Sequence, residues 1–74
     1  MIKINNIEVI KDFGKRVRDL RKSQNLSQEE LANLADVPLS QIGRIERGEV
    51  NITISSIAAL ATALKISMLE FFKS

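Results

Sequence analysis

Residues 27–48 read SQEELANLADVPLSQIGRIERG, and this stretch decides the fold. Ser27-Gln28-Glu29-Glu30 is a capping box: the Ser27 hydroxyl can accept from the third backbone N–H while Glu30 reaches back to the cap. A helix is therefore predicted from Gln28 to about Leu34, with Leu31 and Ala35 facing inward. Asp36-Val37-Pro38 breaks it, because proline lacks an N–H and disfavours helix for the residue before it. Another helix runs from about Leu39 to Arg47 and stops at Gly48, a suitable left-handed terminator. At about 100° per residue, Ile42 and Ile45 mark its buried side. Ser40, Arg44 and Arg47 cluster on the opposite face. Glu46 lies only about 40° from Ile42, so it should be partly buried.

The flanking segments are helical too. Asn5 or Asn6 can cap a first helix whose apolar stripe is Ile7, Ile10, Phe13, Val17 and Leu20. It should end near Gln24-Asn25, with Asn25 in the left-handed conformation. Residues 1–6 are expected to be a frayed arm. After Gly48, the loop Glu49-Val50-Asn51-Ile52 leads to a fourth helix capped by Thr53 or Ser55, with the stripe Ile54, Ile57, Ala61 and Leu64. Ser67-Met68-Leu69-Glu70 is a second capping box, opening a short fifth helix through Phe72. The expectation is an all-α chain: one five-helix domain over residues 1–74 with no convincing strand.

Composition narrows the chemistry. The 74 residues are 45% hydrophobic and 27% charged, which is globular rather than disordered composition. There is no cysteine and no histidine, which excludes disulfides, thiolate or imidazole zinc sites and histidine general-base chemistry. No metal and no cofactor are expected. Glu29, Glu30, Glu46 and Glu49 are the carboxylates available as acid/base pairs, but Glu29 and Glu30 are helix-start residues. A substrate pocket of roughly 300 Å³ is hard to build in so short a chain, so no enzyme is expected. The apolar runs fall far short of the roughly 20 residues needed to span a bilayer, so no membrane partner is expected. Met1 to Asn6 show no signal-peptide pattern, which points to a cytoplasmic, prokaryotic protein. Net charge is only +2, but it is polarised. From Ile10 to Gln24, Lys11, Lys15, Arg16, Arg18, Arg21 and Lys22 stand against Asp12 and Asp19, a local +4. Such a distribution makes either a basic binding face or a solvated helix surface.

Two short helices joined by a turn of roughly three or four residues suggest a helix-turn-helix. The chain resembles the Cro and phage-repressor (Xre-like) family through Leu-Ser-Gln-Glu-Glu-Leu-Ala (Leu26 to Ala32), Val37, Ile42 and Arg-Ile-Glu-Arg-Gly-Glu (Arg44 to Glu49). Further matches are Phe-Gly-Lys-Arg-Val-Arg-x-Leu-Arg in the first helix and Ala-Leu-x-Ile-Ser at the junction of the last two, so the likeness spans residues 10 to 72. It implies a lambda-repressor-like domain that regulates transcription from double-stranded DNA, as a repressor or autoregulator, with the third helix in the major groove. By that likeness Leu39, Ser40, Gln41 and Arg44 are the base-reading candidates. Arg44 can fork onto guanine O6 and N7, and Leu39 can meet a thymine methyl or pack on the second helix. Gln28, Arg47, Asn51 and Arg16 are the candidates for the DNA backbone, with Lys15 weaker. Arg21 and Glu46 are implied to form a structural salt bridge between the first and third helices. The sequence departs from the family at Asp36, where glycine is usual, at Pro38, which replaces a Ser or Thr cap, and at Leu39, which replaces a polar residue.

Regulators of this kind bind as twofold dimers. Met68, Leu69, Phe71 and Phe72 cannot all face one small core, so residues 69–72 are the candidate contact, with Leu69, Phe71 and Phe72 burying against a second chain in a homodimer. A crowded monomeric core is the alternative. The small size resembles controller proteins of restriction-modification systems; Asn51-Ile52 fits that subgroup, while Leu39-Ser40-Gln41 does not match its usual recognition helix. A competing reading is an antitoxin-like protein-interaction module.

Overall fold

The computed structural model describes residues 3–4 and 6–72. In chain order it comprises β1 (Lys3–Ile4), α1 (Ile7–Ser23), α2 (Gln28–Ala35), α3 (Leu39–Glu46), β2 (Ile52–Thr53), α4 (Ile54–Leu64) and a C-terminal 3-10 helix (Met68–Phe72). Caps written in the sequence start the helices. The Asn6 side chain accepts from Val9 N–H at 3.1 Å, Ser27 and Glu30 close the reciprocal capping box, and Thr53 accepts from Ser56 N–H at 3.2 Å. Pro38 opens α3 with no side-chain cap.

All four α-helices end the same way. Asn25, Asp36, Gly48 and Lys65 take left-handed φ values of 58–72°, and the residue after each donates back across the last turn, as Glu49 N–H does to Arg44 C=O at 2.9 Å. That closure satisfies carbonyls the helix would otherwise leave open. Asp36 thus fills the turn between α2 and α3 where the family prefers glycine. Its short polar side chain tolerates the conformation.

The core takes one stripe from each helix: Phe13 and Val17 from α1, Leu31 from α2, Ile42 and Ile45 from α3, Ile57, Leu60 and Leu64 from α4, joined by Ile52. α3 packs on both α1 and α2, and α4 packs on α2. Gly14 makes the α1–α3 crossing possible, since a Cβ there would collide with the Ile45 carbonyl oxygen.

Three expectations are corrected. Lys3–Ile4 is not a frayed arm but pairs antiparallel with Ile52–Thr53, Ile4 opposite Ile52, so the chain is not strand-free. Met1, Ile2 and Asn5 lie outside the described residues. The fifth helix is 3-10 rather than α, with the Ser67 hydroxyl accepting from Leu69 N–H at 3.2 Å. Ile7 and Ile54, placed on apolar stripes, are exposed, because each sits at the first turn of its helix, beyond the reach of the core.

Candidate nucleic-acid interface

α3 owes its position to Ile42 and Ile45, both buried against α1 and α2. That leaves Leu39, Ser40, Gln41 and Arg44 exposed on its outer side and N-terminal turn. Ser40, Gln41 and Arg44 make no side-chain hydrogen bond or ion pair among the described residues, so their donors remain available. Leu39 does not pack into the core.

Beneath this face, Arg21 and Glu46 lock α1 to α3. Arg21 Nε donates to Glu46 Oε2 at 2.7 Å, its Nη2 to Oε1 at 3.0 Å and its Nη1 to Leu26 C=O at 2.8 Å. The side chains are 10% and 4% exposed. The hydrogen bond to Glu46 raises the Arg21 pKa, against the opposing effect of burial. Gln28 joins the pair, its Nε2 donating to Glu46 Oε1 at 3.1 Å. A primary amide has two N–H donors, so one remains for an outside ligand.

Around the pair opens a cleft of about 270 Å³ lined by Arg18, Arg21, Gln28, Glu46 and Arg47. It approaches the size that the sequence argument denied this chain. Its chemistry is not that of an acid/base site, because its one carboxylate already accepts three hydrogen bonds. Three arginines and a glutamine suit an anion such as a phosphate. Among the described residues, no group of acidic side chains is placed to hold a metal, and no helix is long and apolar enough to cross a membrane.

Arg47 stands at the cleft edge and pairs with Glu49. Asn51 is exposed in the following loop. Arg16, expected at the DNA backbone, is half-buried and donates through Nε to the Glu70 carbonyl at 2.9 Å, tying α1 to the 3-10 helix. It lies about 200° around α1 from Arg18, away from the cleft. Arg18 is the residue the sequence reading passed over. Its signal was the three-residue spacing from Arg21, which puts both on one side of α1.

At the C-terminus, Phe71 is corrected from dimer contact to core residue. It is 3% exposed and meets the Phe13 ring edge-on with centroids 4.8 Å apart. Phe72 also stacks on Phe13, at 6.0 Å, yet stays 49% exposed, and Leu69 is 72% exposed.

The sequence model of the helix-turn-helix family matches residues 17–71. Control protein C.SmaI of Serratia marcescens is 41% identical over 56 residues, covering 76% of this chain and 67% of that protein. Control protein C.BamHI of Bacillus amyloliquefaciens is 40% identical over 63 residues, covering 84% and 75%. The crystal structure of the restriction-modification controller protein C.AhdI of Aeromonas hydrophila superposes with a TM-score of 0.84 at 42% identity, over 90% of this chain and 100% of that one.

Proposed function

This chain belongs to the helix-turn-helix family of DNA-binding transcriptional regulators, and from that premise we propose that α3 enters the major groove of a palindromic operator. The observation that carries the reading is the two-sided character of α3: Ile42 and Ile45 buried, Ser40, Gln41 and Arg44 exposed and uncommitted. Arg44 reads a guanine through its fork, Ser40 and Gln41 reach base edges near the helix N-terminus, and Leu39 meets a thymine methyl. One strand's phosphate enters the cleft, held by the free N–H of Gln28, by Arg18 and by Arg47, with Asn51 farther along the backbone. A second copy joins through Leu69 and Phe72, which gives the twofold needed to span two half-sites about one helical turn apart. Likeness to proteins named as controllers supports placing this regulator at a restriction-modification locus, as a repressor or autoregulator.

Selection from random duplex DNA tests this reading. The expected winner is a palindrome with half-sites about 10 bp apart. Arg44→Ala should lose about 1–3 kcal/mol of discrimination at one base pair per half-site. Arg18→Ala should weaken all sequences alike and lower the salt slope by about one. Recovery of no motif, with Arg44→Ala behaving like Arg18→Ala, would sink the base-reading assignment.

A further inference from the structure

Arg47 and Glu49 face one another across Gly48, whose φ of 72° turns the chain back at the end of α3. Arg47 Nε donates to Glu49 Oε2 at 2.8 Å, and Nη2 donates to Oε1 at 3.2 Å. Two parallel N–H···O bonds along one guanidinium edge are how arginine grips a carboxylate, and equally how it grips a phosphate. The other side of the guanidinium lies beside Gly43, Nη1 standing about where a Cβ at Gly43 would come within 3.0 Å, and Arg47 lines the cleft with Arg18 and Gln28. Unlike Arg21 and Glu46, these two side chains are 58% and 50% exposed. The pair therefore contributes little to holding the helices together, and solvent or DNA can reach it.

We propose that Glu49 is an intramolecular stand-in for a DNA phosphate: it occupies the Nε/Nη2 edge of Arg47 in the free protein, and the DNA backbone displaces it by taking that edge rather than the open Nη1 side. The proposal rests on reading Arg47 as a backbone contact. A carboxylate and a phosphate cannot share one guanidinium edge, and two anions brought together there repel. Binding thus loses whatever the Arg47–Glu49 pair contributed to the free chain. A phosphate contact carries no sequence information, so the penalty is the same on every duplex. Glu49 then tunes the sequence-independent part of the affinity and leaves base reading to α3.

The test is a fluorescence-anisotropy titration of a random-sequence duplex, run at several salt concentrations. Four proteins are compared: the native chain, Glu49→Gln, Arg47→Ala and the double variant. Glu49→Gln should tighten binding about two- to fivefold, the factor by which an exposed ion pair biases an equilibrium. Arg47→Ala should weaken binding and lower the salt slope by about one. On the Arg47→Ala background the gain from Glu49→Gln should be clearly smaller, since only charge repulsion between Glu49 and the phosphate is then relieved. Equal tightening on both backgrounds would overturn the proposal, because removal of any negative charge would then explain the gain. Unchanged or weakened binding by Glu49→Gln would overturn it too, making Glu49 a brace rather than a competitor. In both cases a weakened Arg47→Ala keeps Arg47 as a backbone contact. If Arg47→Ala alters neither affinity nor slope, that underlying reading fails and the proposal falls with it. A native-like circular-dichroism spectrum and a cooperative melt lowered by no more than a few degrees establish that the exposed substitutions leave the fold intact.

Discussion

Arg21→Ala is the substitution that most directly tests how α3 is held. A chain of 74 residues has a total stability of roughly 4–11 kcal/mol at ~0.05–0.15 kcal/mol per residue. Arg21 donates twice to Glu46 and once to the Leu26 carbonyl. Its loss leaves the Glu46 carboxylate with the Gln28 amide alone, in a position where the side chain is 4% exposed. Breaking a buried ion pair from one side costs about 3–5 kcal/mol, because the remaining charge is stranded. This pair borders an open cleft, so water reaches one side of it, and the loss belongs at the lower end, about 3 kcal/mol. At 4–8 °C per kcal/mol for a domain of this size, the melting temperature should fall by roughly 12–24 °C. Far-UV circular dichroism through urea and thermal unfolding reads both quantities. The double variant Arg21→Ala, Glu46→Ala removes the stranded charge, so its loss should be smaller than the two single losses added together. A loss below about 1 kcal/mol for Arg21→Ala, the level of an exposed pair, would refute the reasoning. So would strict additivity in the double variant.

Gly14→Ala should destabilise by about 1–3 kcal/mol or more, since the Ile45 carbonyl that the new methyl meets belongs to backbone and cannot swing aside; a native denaturation midpoint would contradict the close crossing. Lys65→Gly should stabilise by about 0.5–1 kcal/mol, because a left-handed φ of 58° strains a residue with a Cβ, and a lowered melting temperature would count against this. Leu69→Glu should shift sedimentation from dimer to monomer without loss of helical signal; a native-like dimer would remove Leu69 from the contact. Glu49 has its pKa lowered from 4.5 by the hydrogen bonds from Arg47, with charge attraction from Arg47 and Arg44 adding to it. Its contribution to stability is therefore present above the unfolded-chain value and is lost as pH falls through the lowered folded value. In an NMR titration the Glu49 carboxyl midpoint should move upward in Arg47→Ala, and an unmoved midpoint would deny the pair in solution.

Local chemistry made much of this protein legible before folding was considered. The capping box at Ser27–Glu30, the break at Asp36–Pro38, the terminator Gly48 and the spacing of Ile42 and Ile45 are signals carried within one or two turns of helix, and the structure places two short helices and a tight turn where they indicate. The outward face of α3 follows from the same spacing, because once two isoleucines are buried the opposite side has only solvent to meet. What no local signal carries was decided by tertiary packing. Lys3–Ile4 became a strand only because Ile52–Thr53 offered its edge from the other end of the fold. Phe71 turned inward because Phe13 on α1 receives its ring edge-on, while Leu69 stayed outside, and the local order Met68-Leu69-Glu70-Phe71-Phe72 cannot say which apolar residue will win that place. Arg16 and Arg18, two positions apart on α1, parted company for the same reason: one faces the 3-10 helix and the other the cleft. The sequence by itself determined the helices, their ends and the exposed side of α3, since those depend on neighbours within a few residues. Which charges pair, which aromatic is buried and where an anion fits depended on surfaces brought together from distant parts of the chain.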